Sequence, residues 1–255
     1  MTVPPTRLRV LRFAVPCAGL VLVSLLSSGC GRIPTQDGTG PSPSGTTASV
    51  TAEPSGSDPD PTGPGAEEDC AYDLSGTPAR PVQPPRTTGV EASGTVTYTL
   101  KMTEGNVVVT LDRLKAPCTV NSFESLASQH FFDRTRCHRL VDSSTFLLQC
   151  GDPTGKGTGG PGYTFPNETD GTESYTAGVL AMANGADTNG SQFFLVYADS
   201  SALDANPDYT IFGTMDQASL GVVNRMAAEG QDGSNPEGGG LPNNPCEIVS
   251  VTKTG

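Results

Sequence analysis

Tryptophan is absent, histidine occurs twice, and aromatic residues make up only 6% of the 255-residue chain. Positive charge is also scarce, with 15 Lys and Arg against 27 Asp and Glu and a formal net charge of −12. Beyond the extreme N-terminus no basic cluster is available for phosphates, which argues against a nucleic-acid partner. No Cys-x-x-Cys pair and no two neighbouring His occur, so a zinc site has no support in the spacing. No Ser-His-Asp set for nucleophilic chemistry stands out either. The longest apolar run, Phe13 to Leu26, has about fourteen residues, short of the roughly twenty that span a bilayer.

Glycine and proline are plentiful, 31 and 22 residues, and unevenly spread. Arg7, Arg9 and Arg12 precede the apolar run, and small residues Ser27-Ser28-Gly29 follow it, the pattern of an export signal over 1–29. Gly29-Cys30 before polar sequence resembles a bacterial lipoprotein processing site, with Cys30 the acylated residue; Ser27 departs from the usual aliphatic there. An ordinary cleaved signal and a retained anchor are the alternatives, and all three put the remainder outside the cytoplasm. Residues 30–69 are Gly, Pro, Ser, Thr and acid, with Ile33 and Val50 the only large aliphatics. Such a stretch buries too little apolar surface to offset its ordering entropy, so it reads as a tether.

Residues 70–255 carry the globular pattern. The Pro-rich segment 70–93 reads as extended, wrapping the domain without joining its sheet. Val96, Tyr98, Leu100 and Met102 alternate with polar residues, predicting a half-buried strand that turns at Glu104-Gly105-Asn106 and returns through Val107 to Leu111. Val120, Phe123, Leu126, Ala127 and His130 recur at helical spacing after Pro117, with Asn121 and Glu124 available to cap; His130 reads as packing. Arg136 to Val141 and Phe146 to Cys150 read as two strands around the polar turn Asp142-Ser-Ser-Thr145. Alternation sends His138 and Leu140 to one face and Arg139 and Val141 to the other, a charge among apolar neighbours that needs a task or a partner. Asp152 to Asn167 reads as a Gly-rich surface loop. Val179 to Met182, Gln192 to Val196, Tyr209 to Gly213 and Glu247 to Val251 read as strands. Leu220, Val223 and Met226 mark a second short helix, and Gly230 to Pro245 reads as loop. Many short strands with two helices predict a mainly β fold, a closed antiparallel barrel.

Three runs carry a resemblance. His138-Arg139-Leu140-Val141 with Phe146-Leu147-Leu148-Gln149, then Gly157-Thr-Gly-Gly-Pro-Gly-Tyr163, then Leu180-Ala-Met-Ala-Asn184 with Thr188-Asn-Gly-Ser-Gln-Phe-Phe194 follow one another in order. Together they resemble the signature of cyclophilin-type peptidyl-prolyl isomerases, over about residues 94–251. The resemblance implies a closed eight-stranded barrel capped by two helices. It also implies catalytic roles for Arg139, Gln149 and Phe146. Phe146, Leu147, Phe194 and Leu203 match the pocket for the proline ring, Ala183 and Asn184 the backbone ledge for the substrate chain, and Gln192 the residue beside it. His138 and Tyr209 fall at the rim. Two departures stand out: the loop after Asn184 is one residue shorter than usual, and Ala202 replaces the Trp of cyclosporin-sensitive relatives, implying weak binding of that drug.

Cys70, Cys118, Cys137, Cys150 and Cys246 remain after the signal, an odd number for an oxidising compartment. Cys137 and Cys150 flank His138 and Gln149 at equal distances from the hairpin tip, and they replace the Phe and Gly of the signature, so a cross-strand disulfide is expected. Cys70–Cys118 is the second expected pair, with Cys246 left over; the sequence alone leaves that pairing open. The resulting expectation is an extracytoplasmic isomerase, acting on Pro-containing polypeptides as a monomer anchored through lipid on Cys30, with no cofactor and no metal. The alternative is a module of the same fold that binds Pro segments without turning them over.

Overall fold

The structure, a computed structural model of the chain, describes residues 65–185 and 188–255. The expected signal, Cys30 and most of the expected tether lie outside the described residues. The lead-in segment forms three two-residue strands, β1 (Glu67–Glu68), β2 (Asp73–Leu74) and β3 (Val90–Glu91). Strand β1 falls within the stretch read as tether and pairs with β3, so ordered pairing begins before Cys70. The long hairpin β4 (Thr95–Met102) and β5 (Gly105–Asp112) follows, burying Val96, Tyr98, Leu100 and Met102 against Val107, Val109 and Leu111.

Helix α1 (Pro117–Ser128) opens on Pro117, where a missing N–H is tolerated. Its cap is not Asn121 or Glu124. Glu168, about fifty residues away, accepts from the backbone N–H groups of Cys118 and Thr119, both at 2.8 Å, and from the Thr119 hydroxyl at 2.6 Å. Asn121 instead donates to the Tyr72 hydroxyl and the Arg86 carbonyl, while Glu124 pairs with Arg113. His130 is not on the packed stripe: it lies past the helix end at φ 59°, exposed, with its ring against Asp133.

The chain continues through β6 (Thr135–Arg136), β7 (Arg139–Ser143), β8 (Thr145–Cys150), β9 (Tyr163–Pro166), β10 (Val179–Met182), β11 (Thr188–Asn189) and β12 (Phe193–Val196). A 3-10 turn (Ser201–Ala205), β13 (Ile211–Met215), α2 (Gln217–Ala227) and β14 (Glu247–Lys253) complete it. Strand β9 lies inside the stretch read as loop, and β13 starts after Tyr209. Nine strands form the main sheet, in the order β6-β14-β4-β5-β13-β10-β12-β8-β7. Smaller sheets pair β1 with β3 and order β11-β9-β2, so the lead-in stays out of the main sheet as expected.

The expected closed eight-stranded barrel is therefore corrected to a curled nine-stranded half-barrel. Its edges, β6 and β7, come from one extended stretch. Thr135 and Arg136 pair with β14, and three residues further on Arg139 begins pairing with β8. A continuous backbone cannot pair laterally with itself, so the covalent link at Cys137-His138 spans the gap between the edges. Both expected disulfides are present, Cys70–Cys118 and Cys137–Cys150, and Cys246 is free and buried. The main core takes Leu140, Leu148, Phe193, Leu195 and Phe212 from one face of the sheet. The opposite face carries a second apolar cluster with Val141, Leu147, Phe194, Val196 and Ile211. That second face holds the candidate site.

Candidate active site

The pleat decides which side chains reach this face. Along β8, Thr145, Leu147 and Gln149 point one way while Leu148 and Cys150 point into the main core. Cross-strand register lines Arg139, Gln149 and Phe194 into one row, and Val141, Leu147 and Val196 into the next. A cation, an amide and an aromatic ring thus sit side by side above an aliphatic floor. Between them opens a cavity of about 450 Å³, bounded by Arg139 and Gln149 on its polar side and by Leu147, Phe194, Leu203 and Tyr209 on its apolar side. Ala183 and Asn184 form a further wall, and Asn184 is fixed by donating to the Asp208 carbonyl at 2.6 Å.

The polar side is a chain of hydrogen bonds. Arg139 Nε donates to the Gly238 carbonyl and Nη2 to the Glu237 carbonyl, each at 3.0 Å, and Nη1 reaches Gln149 Oε1 at 3.4 Å. Gln149 Nε2 then donates to Gln192 Oε1 at 2.9 Å, and Gln192 Nε2 to the carbonyls of Gly157 and Gly159 at 3.0 Å. Among the described residues no carboxylate pairs with Arg139. Of five guanidinium N–H groups, this network uses three, leaving one each on Nη1 and Nη2. The guanidinium is oriented by neutral carbonyls and keeps its whole charge.

The apolar side is buttressed from behind. The Tyr209 ring stands edge-on to Phe194 at 5.4 Å, and the buried Tyr175 hydroxyl donates to the Tyr209 carbonyl and accepts from its N–H, both at 2.9 Å. The turn carrying Leu203 is tied down by Asp204, which accepts from Ser174 Oγ and Tyr175 N–H at 2.9 Å.

Two ionisable groups shape the rim. His138 is buried against Gly157 with neither ring nitrogen partnered, and desolvation holds it below its ordinary 6.5 despite the opposing pull of Asp152, so it is neutral at pH 7. Gln192 and the Arg136 backbone lie near the ring without making a hydrogen bond to it. Asp152 is also buried, which by itself disfavours its charge. The N–H groups of Gly159, Thr154 and Lys156 and the Thr154 hydroxyl outweigh that and hold its carboxyl below the usual range. Asp152 thereby shapes the loop that presents the Gly157 and Gly159 carbonyls.

Arg139, Gln149, His138, Leu147, Phe194 and Leu203 meet at one cavity, with Ala183, Asn184 and Tyr209. Gln192 stands behind Gln149 and braces it. Phe146 is the exception: its half-buried ring packs on the main core, edge-on to Tyr197 at 5.9 Å, because it is one residue out of phase with Leu147. Two stretches given no site role in the sequence complete the walls, Lys156 to Thr158, which overlaps the Gly157–Tyr163 run, and Asn235 to Glu237. Tyr175 and the second loop had no local signal, since their contacts are made across the fold.

Comparison with known proteins agrees with this geometry. The family profile described as cyclophilin type peptidyl-prolyl cis-trans isomerase/CLD matches residues 97–253. The chain is 46% identical over 167 residues to the probable peptidyl-prolyl cis-trans isomerase B of Mycobacterium leprae, covering 60% of this chain and 56% of that one. It is 39% identical over 137 residues to the peptidyl-prolyl cis-trans isomerase-like 1 of Gibberella zeae, covering 52% and 82%. A crystal structure of a cyclophilin type peptidyl-prolyl cis-trans isomerase from Cryptosporidium parvum superposes with a TM-score of 0.56 at 26% identity, covering 64% of this chain and 99% of that one. A second crystal structure of that protein, in the presence of the dipeptide Ala-Pro, gives 0.55. The chain spans a little over half the length of the mycobacterial relatives it matches. With the profile covering more than half of its residues, the chain belongs to the cyclophilin-type peptidyl-prolyl cis-trans isomerase family.

Proposed function

We propose that this protein accelerates cis-trans rotation of the peptide bond before proline in exported polypeptides. The C–N bond has partial double-bond character and a rotational barrier of about 18–20 kcal/mol. Twisting it breaks the conjugation and returns the lone pair to the prolyl nitrogen. A donor aimed at the twisted amide favours it over either planar form, which is the condition for catalysis. Arg139 is suited to this part, with two N–H groups unspent and a permanent charge. Leu147, Phe194, Leu203 and Tyr209 would hold the proline ring while the preceding carbonyl swings, and the Ala183–Asn184 wall would carry the substrate chain. Rotation needs no nucleophile, metal or cofactor.

The observation that carries this reading is a guanidinium fixed over an apolar recess in one cavity and paired with no carboxylate among the described residues. A protease-coupled assay on an Ala-Pro peptide tests it. Arg139→Ala is expected to lower kcat/KM by about 10²–10³, the range for removing a preorganised donor of this kind. Equal rates for the two proteins would take Arg139 out of the chemistry and leave the Pro-binding module as the better reading.

The proposed setting is extracytoplasmic. Residues 1–29 would be the signal, Cys30 the lipid-bearing residue and the stretch after it a tether holding the monomeric domain off the membrane. The basic-apolar-small pattern ending at Cys30 supports this, as do two disulfides, which persist in oxidising compartments. Mass spectrometry of the membrane fraction should find the mature chain beginning at diacylated Cys30. An unacylated N-terminus elsewhere would exclude the anchor.

A further inference from the structure

The connection between α2 and β14 is built around Arg139. Its stem is a short ladder in which Asp232 N–H donates to the Leu241 carbonyl at 3.1 Å and Asn243 N–H to the Gly230 carbonyl at 2.9 Å. Asp232 Oδ1 closes the stem by accepting from the N–H groups of Ser234 at 3.0 Å and Leu241 at 2.9 Å. The tip is tied to itself, Gly238 N–H donating to the Asn235 carbonyl at 3.0 Å and Glu237 N–H to Asn235 Oδ1 at 2.9 Å. It is also tied to the sheet. Leu140 and Gly240 exchange both backbone bonds, at 2.7 and 3.0 Å, along the outer edge of β7. Gly239, at φ +74°, lies so close that a Cβ there would run into the Leu140 carbonyl oxygen. The Glu237 and Gly238 carbonyls that hold Arg139 thus belong to a loop with its own fastenings.

We propose that this loop is a clamp that positions Arg139, with Asp232 and Gly239 as its positioning residues. Neutral carbonyls turn the guanidinium without cancelling its charge, whereas a carboxylate at the same distance would neutralise it. Fixing Nε and one Nη2 hydrogen leaves the remaining Nη hydrogens directed by elimination. Asp232 acts at a distance, since it touches neither the cavity nor Arg139. The kinetic arm of the test rests on the isomerase reading; the structural arm does not.

The test compares wild type with Asp232→Ala, Asp232→Asn and Gly239→Ala, each alone and combined with Arg139→Ala. The Arg139 Nε–H exchange rate is read by NMR and turnover on an Ala-Pro peptide by kinetics. Asp232→Ala is expected to speed Nε–H exchange at least tenfold and lower kcat about fivefold with KM little changed, roughly the effect of one lost hydrogen bond. Asp232→Asn, which keeps the accepting oxygen, should restore both, and in the Arg139→Ala background Asp232→Ala should cost no further activity. Gly239→Ala should mimic Asp232→Ala. An unchanged Nε–H exchange rate in both loop variants would overturn the clamp whatever the activity. Should the wild type prove inactive on proline peptides, the exchange arm alone decides it.

Discussion

Arg139 stands in a row with Gln149 and Phe194 above Val141 and Leu147, paired with no carboxylate among the described residues. A cation in such company is disfavoured unless its hydrogen bonds are well satisfied. Here carbonyls of Glu237 and Gly238 and the Gln149 amide oxygen satisfy it, leaving one donor each on Nη1 and Nη2 of a guanidinium that lines the cavity. Asp152 does the corresponding work on the far side. Its carboxyl titrates below the usual range in the folded chain. A depressed carboxyl contributes stability above its unfolded value, about 3.9, and loses it as pH falls through the folded one. In thermal unfolding, buried neutral His138 should lower Tm as pH falls below about 6.5, and Asp152 should add a further decline below about pH 4. Asp152→Asn, which places amide hydrogens opposite backbone N–H donors, should cost about 2–3 kcal/mol at pH 7 and flatten that decline. An Asn variant as stable as wild type at pH 7 would refute this role.

At the scale of elements, the β7–β8 hairpin is fixed twice over. Five register pairs join the strands, and the Cys137–Cys150 disulfide closes their open end. The lead-in segment has only two-residue strands, and Cys70–Cys118 joins it to α1 beside the Glu168 cap. Chain entropy alone assigns about 4 kcal/mol to a cross-link spanning 48 residues and about 3 to one spanning 13. The hairpin's other bonds make its bridge partly redundant, so the difference should widen in practice. Replacing Cys70 and Cys118 by Ser should lower Tm more than replacing Cys137 and Cys150, as calorimetry of the two double variants would read. The reverse order would mean the hairpin depends on its bridge more than on its ladder. If the bridge also stiffens the site, the Cys137/Cys150 variant would lose turnover while retaining most of its Tm.

At the scale of the whole molecule, elements with strong periodicity were legible in the sequence. The β4–β5 hairpin and α2 stand where alternation and helical spacing put them, because burial on one face writes itself into successive residues, and β10 shows as a short apolar run buried on both faces. Features made by distant contacts were not legible. The α1 cap comes from Glu168, the Tyr209 buttress from Tyr175, and the Arg139 clamp from the loop around Gly238. Phe146 illustrates a different failure. Its motif assigned it to the proline pocket, while the pleat, readable from Leu147 and Gln149, sends it to the other face. The closed eight-stranded barrel was expected in error, because one stretch supplies both edges of a nine-stranded half-barrel, which no strand count reveals. The site was recognisable from Arg139, Gln149, Phe194, the Ala183–Asn184 segment and the Gly157–Tyr163 run, but the Asn235–Glu237 wall comes from a loop with no pattern beyond glycine.

Two-dimensional exchange NMR on a proline-containing peptide, with catalytic amounts of the full chain, reads cis-trans interconversion directly and needs no coupling protease. Wild type should produce strong exchange cross-peaks between the cis and trans signals, and Arg139→Ala should bind the peptide yet leave those cross-peaks near the uncatalysed level. Cross-peaks of equal strength with both proteins would contradict the claim that this guanidinium over its apolar recess drives the rotation.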